Sequence, residues 1–247
     1  MSAATVSIKE KRFPARASAP SKLALCNVVF RVLPGELVAI VGPSGCGKTT
    51  LLNIVAGLDS DFIGRVDLGR GAAPKIGYVF QNARLFPWCT VRENISIVLP
   101  KDATSDVIDR LLLEVGLSDV ADVFASRLSV GMSRRAAIAR ALAIAPDLVL
   151  MDEPFVSLEE PMAERLRQML LELLRLHPAS VLFVTHDLRE AVMLADRILL
   201  LSPSPGQLIA DLPMSVPRDR RDVAAVEAVR EAIRQYQENS TRGPVDR

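Results

Sequence analysis

The chain has 247 residues, of which 49% are hydrophobic, and its 30 Lys and Arg against 29 Asp and Glu give a formal net charge of +1. This composition excludes a disordered chain, and the near-zero charge gives no general electrostatic case for nucleic acid as a partner. The N-terminus has no apolar run of signal-peptide length and no other run is long enough to span a bilayer, so any link to a membrane is expected to go through a partner protein.

The first part of the chain predicts strands around a glycine-rich loop. Residues 24–41 predict two strands joined by a turn at Pro34-Gly35, and the second strand, 36–41, runs directly into the loop. The segment "KTTLLNIVAGL" then has helical spacing and ends near Gly57. The segment "KIGYVFQ", residues 75–81, predicts a further strand.

The second part predicts a helical block followed by alternating elements. Residues 91–145 have a mostly helical period. After it come a buried strand "DLVLMDEP", an amphipathic helix "EEPMAERLRQMLLELLRLH" with Pro161 in its first turn, a strand "SVLFVTHD", a helix "LREAVMLA" and a strand "RILLLSP". In the charged tail, five residues are spaced like one face of a helix: Val223, Val226, Val229, Ile233 and Tyr236.

Strands that alternate with helices predict an α/β fold with a mainly parallel sheet covered on both faces. The helical block interrupts this alternation, which favours an inserted subdomain. We therefore expect one domain with a core over about 1–87 and 146–216, a helical subdomain over about 88–145 and a C-terminal tail over about 217–247.

The glycine-rich loop has the pattern of a phosphate-binding loop. "GPSGCGKTT" follows a strand and opens a helix, and it fits G-x-x-x-x-G-K-[ST] through Gly42, Gly47, Lys48 and Thr49. Glycines let backbone N–H groups close around phosphate oxygens, Lys48 would reach the β- and γ-phosphates, and the Thr49 hydroxyl would bind Mg²⁺. The other residues expected to contact the nucleotide are Pro43, Ser44, Gly45, Cys46 and Thr50.

A second group of candidate residues stands at strand ends. Asp152 would hold Mg²⁺, and Glu153 would act as general base on the attacking water; the alternative is a surface acidic pair that caps a helix. His186 would bond the γ-phosphate and that water, and Gln81 would be a Mg²⁺ ligand or position water. His177, beside a helix end, is interpreted as a capping or surface histidine.

In their order and spacing these motifs resemble the ATP-binding subunit of ABC transporters over about residues 6–220. The resemblance rests on "GPSGCGKTT" (Walker A), "YVFQ" (Q-loop), "LSVGM" (signature), "LVLMDEP" (Walker B), "VSLE" (D-loop) and "VTHD" (H-loop). It implies a P-loop NTPase (RecA-like) fold with an antiparallel β part and an inserted helical subdomain, and ATP and Mg²⁺ as cofactors. It also implies that Ser129 and Gly131 contact the ATP of the other subunit, and that Phe13 stacks on adenine, with a packed edge residue as the alternative for Phe13.

Within that family, "FQNARLFPWCTVRENI" and the "PRDR" tail resemble bacterial importers for nitrate, sulfonate, taurine and related solutes. The resemblance implies a homodimer or heterodimer of ATPase subunits, docked on an integral-membrane permease at the cytoplasmic face of the bacterial inner membrane and serving a solute-binding protein. The segment after Gln81 would lie near the permease, with an ordinary subdomain anchor as the alternative for Trp88. Three cysteines that fit no disulfide or zinc spacing favour the same reducing compartment.

Two motifs depart from the family pattern. The signature usually reads L-S-G-G-[QM], and Val130 puts a β-branched side chain where glycine is usual, so it would crowd the phosphate or exclude a positive-φ backbone. Arg134 replaces a common Gln and would either compensate or be solvated. In the D-loop, Glu159 stands where the family has Asp.

The leading hypothesis is an ATPase subunit that energises import of a small solute. A slow or asymmetric subunit, paired with a different intact ATPase, is the first alternative because the signature and D-loop are altered. A soluble ABC-type protein acting in repair, in translation or as an ATP switch, and a P-loop kinase of a small metabolite, are further alternatives.

Overall fold

The computed structural model describes residues 4–15, 20–69, 74–100 and 104–241, and of residues 237–241 only the backbone. These residues form two compact units. The helical unit comprises the described parts of Leu33–Gly35 and Gly69–Val181; the strand-rich unit comprises those of Ala3–Val32, Glu36–Leu68 and Leu182–Arg247. The predicted tail extends past the described residues at 242–247, and the division into core, subdomain and tail stays a prediction.

The strand-rich unit contains an antiparallel sheet. Its strands are β1 (Ala4–Phe13), β2 (Lys22–Val32) and a later strand β4 (Ile63–Asp67), in the order β2-β1-β4. Alternate residues of β1 are buried, with Val6 and Ile8 at 0% exposure. Neither β1 nor β4 was predicted from the sequence, because charged residues interrupt the first and the second is largely exposed.

The same unit contains the strands that carry the phosphate loop. Strand β3 (Leu37–Val41) is buried throughout and pairs in parallel with β8 (Arg197–Leu201), which pairs antiparallel with β9 (Leu208–Pro213). Strand β7 (Ser180–Thr185), whose last four residues belong to this unit, neighbours β3. The two strands predicted around Pro34-Gly35 are confirmed as β2 and β3, whereas β9 was not predicted.

In its described residues the strand-rich unit has three α-helices. They are α1 (Lys48–Val55), α6 (Leu188–Leu194) and α7 (Val223–Thr241). Leu51 and Leu52 of α1 have 0% exposure, and complete burial of a leucine side chain stabilises a fold by about 1.5–3 kcal/mol. The predicted helix in the tail is confirmed, but its apolar face is only partly covered, since Val226 is buried and Val223 is exposed.

The helical unit is built on two parallel strands, β5 (Ile76–Val79) and β6 (Leu148–Asp152). Its helices are α2 (Val91–Ser96), α3 (Ser105–Glu114), α4 (Val130–Ala143) and α5 (Glu160–Leu176). Pro161 lies in the first turn of α5, as predicted. Gly77 of β5 allows α4 to approach closely, because an added Cβ at this position would lie 2.5 Å from the carbonyl oxygen of Ala141.

The turn before α2 is fixed by a buried asparagine. Asn94, at 0% exposure, accepts from the Phe86 N–H at 2.7 Å and donates to the carbonyls of Phe86, Cys89 and Thr90. Trp88, in this turn, is 70% exposed and contacts the ring of Phe86 at a centroid distance of 5.5 Å. The interpretation of Trp88 as a subdomain anchor is therefore wrong, since most of its indole faces solvent.

Candidate functional site

The phosphate loop joins β3 to the first turn of α1. Gly45 and Gly47 have φ of 77° and 103°, a left-handed conformation that favours glycine. An added Cβ at Gly47 would lie 2.7 Å from Leu25 and 3.1 Å from the Ala24 carbonyl. Backbone conformation and crowding therefore both require glycine at this position.

Lys48 is held inside the loop. It is 6% exposed, and its Nζ donates to the carbonyls of Gly42 at 2.8 Å and Pro43 at 3.1 Å. Gly47 caps α1 without a side-chain hydrogen bond, so the helix N-terminus presents backbone N–H groups and a positive dipole beside the ammonium. This arrangement can bind the phosphates of a nucleotide.

Cys46 is a structural part of the loop. It is 1% exposed, and its Sγ would lie 2.8 Å from a Cβ added at Gly42. Burial raises the pKa of the Cys46 thiol, and the charge of Lys48 offsets part of that rise. The cysteine therefore fills space as a neutral thiol at neutral pH.

His186 follows β7, the neighbour of β3 in the sheet, and is exposed. The residues on both sides of His186 form side-chain hydrogen bonds. Thr185 donates to buried Glu190 at 2.5 Å and accepts from the Asp187 N–H at 3.0 Å. Asp187 caps α6 by accepting from the Arg189 N–H at 2.8 Å. This network fixes the backbone on both sides of the histidine.

The helical unit brings Gln81 and the two acidic residues to one edge. In the parallel pair of β5 and β6, Val79 lies opposite Met151. The strands run in the same direction, so Gln81, two residues past Val79, leaves the pair where Asp152 and Glu153 follow Met151. Asp152 is 4% exposed, whereas Gln81 is exposed.

Glu153 has an unusual backbone conformation, with φ of 45° in a residue other than glycine. Such conformations cost on the order of 1–3 kcal/mol and cluster at functional sites. This strain favours a functional role over the alternative of an acidic pair that merely caps a helix.

The signature segment opens α4. Ser129 is the N-cap residue, and its Oγ accepts from the Met132 N–H at 3.2 Å. Gly131 is buried, and an added Cβ would lie 2.6 Å from the Sδ of Met162. Val130 is the first residue of the helix and 58% exposed. The backbone at this position is helical and does not adopt a positive φ, and the crowding of a phosphate by Val130 stays a prediction.

Two other departures from the family pattern also have a defined place. Glu159 is the N-cap residue of α5, is exposed and makes no side-chain cap hydrogen bond. Arg134 is 5% exposed and its Nη1 donates to the Phe80 carbonyl at 3.0 Å. The alternative of a solvated Arg134 is therefore wrong. Two adjacent arginines in a helix give no signal of which one faces inward, so only the packing of α4 on β5 reveals this contact.

The remaining candidates lie at the edges of the units. Phe13 ends β1 with 41% exposure, and Lys11 Nζ lies 5.0 Å from its ring centroid. The ring is therefore exposed enough to stack on a base, and this role stays a prediction. His177 follows α5 and its Nε2 lies 2.6 Å from Glu114 Oε2, in agreement with a capping or surface role.

The strand-rich unit thus holds Phe13, the phosphate loop and His186, and the helical unit holds Gln81, Ser129, Gly131, Asp152 and Glu153. Thr49, Gln81 and Asp152 offer hydroxyl, amide and carboxylate oxygens, which are donors that Mg²⁺ prefers. Within the described ranges no group of three or more His, Cys, Asp or Glu side chains could hold a metal ion by itself. Each unit therefore offers oxygen donors that suit a Mg²⁺ ion which also takes oxygens from nucleotide phosphates: Thr49 in the strand-rich unit, and Gln81 and Asp152 in the helical unit. Among the described residues, no helix combines the length and the hydropathy needed to cross a membrane.

Comparison with known proteins identifies the family of the chain. The family model described as ABC transporter matches residues 25–156. An aliphatic sulfonates import ATP-binding protein of Burkholderia lata is 46% identical over 205 residues, covering 80% of this chain and 75% of that protein. A protein of the same name from Pseudomonas aeruginosa is 42% identical over 223 residues, covering 85% of this chain and 90% of that protein.

Solved structures give the same picture for the fold. A dimeric post-hydrolysis state of the ATP-binding cassette MJ0796, bound to ADP and Pi, superposes with a TM-score of 0.74 at 29% identity. The match covers 87% of this chain and 100% of the MJ0796 chain. A second dimeric structure, of MJ0796 described as a bacterial ABC transporter cassette, has the same TM-score at 28% identity.

Proposed function

This chain belongs to the ABC transporter family, and from that membership we propose that it is the ATP-binding and hydrolysing subunit of an importer for aliphatic sulfonates. The observation that carries the ATPase part is the phosphate loop, with Lys48 held among its carbonyls at the N-terminus of α1. The sulfonate part is supported by identities of 42–46% to proteins named for that import. The resemblance found from the sequence also includes importers of nitrate and taurine.

Hydrolysis would proceed by attack of water on the γ-phosphate, with release of ADP and phosphate. In this proposal Lys48 neutralises the β- and γ-phosphates, Glu153 accepts a proton from the water, and His186 bonds the γ-phosphate. The other residues of the loop between Gly42 and Thr50 enclose the phosphates with backbone N–H groups. Phe13 stacks on adenine.

Thr49, Gln81 and Asp152 would hold Mg²⁺. The ion supplies positive charge to the phosphate oxygens when bound. Asp152 contributes a buried carboxylate to this task, and Gln81 an exposed amide at the same edge of the helical unit.

Two copies of the cassette would close on ATP, since both similar structures are dimeric. In a closed dimer the N-terminus of α4 would face the nucleotide held by the other subunit, where Ser129 and Gly131 contribute a hydroxyl and backbone N–H groups. Whether the partner is an identical copy or a different ATPase depends on how well Val130 and Glu159 are tolerated there. No observation of the described residues favours the asymmetric pair.

A permease would dock on the exposed apolar side chains around α2. Phe86 and Trp88 in the preceding turn, and Ile97 and Val98 at the end of the helix, are between 37% and 70% exposed. Exposed apolar groups on a fixed turn are typical of a protein interface. Docking there would place the subunit at the cytoplasmic face of the inner membrane, and the permease would receive solute from a periplasmic or surface solute-binding protein.

The proposed function is tested in a strain that lacks the gene. We expect the strain to fail on ethanesulfonate as sole sulfur source, to grow on sulfate, and to be rescued by the wild-type gene but not by Glu153→Gln. Growth on ethanesulfonate together with a loss of growth on taurine or nitrate would assign another solute. Absence of ATP hydrolysis by the purified protein with its permease would refute the ATPase role itself.

A further inference from the structure

We propose that Arg134 is a positioning residue that fastens the Gln81 segment, residues 80–84, to the helix that begins at the signature. The inference rests on the proposed function in that Gln81 is taken to hold Mg²⁺ or the attacking water. It goes further because it assigns a role to a residue in which this chain departs from the family pattern.

Two arginines of α4 bond the carbonyls on both sides of Gln81. Arg134 Nη1 donates to the Phe80 carbonyl at 3.0 Å. Arg140 donates from Nη2 to the Ala83 carbonyl at 2.9 Å and from Nη1 to the Arg84 carbonyl at 3.0 Å. The backbone at Gln81 is therefore held to α4 from both directions.

The contact is made possible by the close approach of α4 to β5. Gly77 leaves no room for a side chain against the Ala141 carbonyl, which fixes the separation of helix and strand. Arg134 lies two helical turns before Ala141, toward the signature, and Phe80 is the first residue after the end of β5 at Val79. The guanidinium therefore meets the strand where it ends, one residue before Gln81.

Arg134 is a buried residue, so its hydrogen bond to Phe80 is partly shielded from solvent. Burial lowers the pKa of Arg134, and the charge of Asp152 opposes that change. An arginine remains charged at neutral pH even so. A buried charge is stable only where it is paired or hydrogen-bonded, and the hydrogen bond to the Phe80 carbonyl contributes to that need.

The segment that Arg134 holds is itself ordered by ring contacts. Phe80 stacks on Tyr78 with centroids 4.0 Å apart, and the guanidinium of Arg84 lies 4.1 Å from the Phe80 ring centroid. Arg84 has φ of 47°, which is strained for a residue other than glycine. The hydrogen bond from Arg140 holds this strained turn, so residues 80–84 behave as one piece attached to α4.

This attachment has a consequence for catalysis. A displacement of about 1 Å at a reacting group can cost on the order of 10²-fold in rate. A Gln, common in the family at this position, has a shorter side chain and no charge for Asp152 to attract. In this chain Arg134 would make Gln81 follow the signature helix, so that closure of the dimer and placement of Gln81 occur together.

The test compares Arg134→Gln and Arg134→Lys with Arg135→Gln. Arg135 is a matched control because it also bonds carbonyls, those of Val115 and Gly116 at 2.9 and 3.0 Å, in another segment. Hydrogen exchange of the backbone amides of residues 80–84 is measured in the absence of nucleotide. The kcat and KM for ATP are measured with the permease present.

We expect Arg134→Gln to speed exchange in 80–84 about tenfold and to lower kcat at least tenfold while KM changes less than twofold. Arg134→Lys should recover part of both effects, and Arg135→Gln should leave exchange in 80–84 and kcat within twofold of wild type. Unchanged exchange and turnover in Arg134→Gln, with an active wild type, would overturn the proposal and leave the proposed function standing. An inactive wild type would refute the proposed function, and the exchange measurement would still decide whether Arg134 holds the segment.

Discussion

The hydroxyl of Thr185 lies 2.5 Å from a carboxylate oxygen of Glu190, and both side chains are buried directly beside the exposed His186. Thr185 also accepts the Asp187 N–H at 3.0 Å. One hydroxyl therefore links the end of β7 to the first turns of α6 across the histidine. This link holds the backbone on both sides of His186.

Replacing Thr185 with Val keeps the shape of the side chain but removes the hydroxyl. We expect a loss of about 1–3 kcal/mol, because a buried carboxylate loses a donor and a backbone N–H loses its acceptor. In a chain of this size the melting temperature should fall by roughly 2–4 °C per kcal/mol. Thermal unfolding checks this, with Thr185→Ser as a control that retains the hydroxyl. Equal melting temperatures for the Val variant and wild type would contradict the structural role.

Glu153→Gln should abolish turnover while ATP binding persists. The amide cannot accept a proton from water, and loss of a general base typically costs 10²–10⁴-fold. ATPase rates and the binding of a fluorescent ATP analogue are the two measurements. Glu172→Gln, an exposed residue of α5, is the matched control. If Glu153→Gln retains wild-type turnover, another residue is the base.

The sequence predicted the elements whose pattern is local. The fully buried strands β3, β6 and β7 appear as continuous apolar runs, and the comparisons confirm the predicted P-loop NTPase fold class. Strand β4 was missed because its five residues, Ile63–Asp67, are all exposed or half-buried, so no apolar face marks it. Its position is set by pairing with β1, a contact between segments far apart in the chain.

The same distinction holds for the candidate site. Contiguous motifs such as Gly42 to Thr49 were found from residue type and spacing, because the chemistry requires those residues in that order. From the sequence, no role was assigned to Thr185 or Asn94 and no partner to Arg134, since their partners are carbonyls or carboxylates that only the folded chain brings near. A buried polar residue has no sequence signal that separates it from an exposed one on the same element.

The effect of Val130 should come from its side-chain volume alone. The backbone at this position is helical and the side chain is 58% exposed, so glycine offers no conformational advantage. We expect Val130→Ala and Val130→Gly to raise turnover of the dimer by similar factors of about 2–10, since both remove the two γ-methyl groups, and 1.4 kcal/mol of relieved crowding corresponds to tenfold. Steady-state ATPase assays with the permease present measure this. A rise with Gly but not with Ala would show that the signature needs a flexible backbone after all.

Cys46 should be the last of the three cysteines to react with iodoacetamide. It is 1% exposed, whereas Cys26 and Cys89 are half-buried, and burial raises the pKa of its thiol so that less thiolate forms at neutral pH. Raising the pH from about 7 to about 9 should speed its alkylation, because the thiolate is the reactive form and its fraction grows as the pH approaches the raised pKa of this thiol. Mass spectrometry of a Cys26→Ser, Cys89→Ser variant isolates this thiol. ATP should slow its reaction further if the loop encloses phosphates. Alkylation should in turn abolish ATP binding, because the Cys46 side chain is buried inside the loop and has no room for an added group without a shift of the loop. Rapid alkylation of Cys46 at neutral pH, with ATP binding retained, would contradict the loop geometry described above.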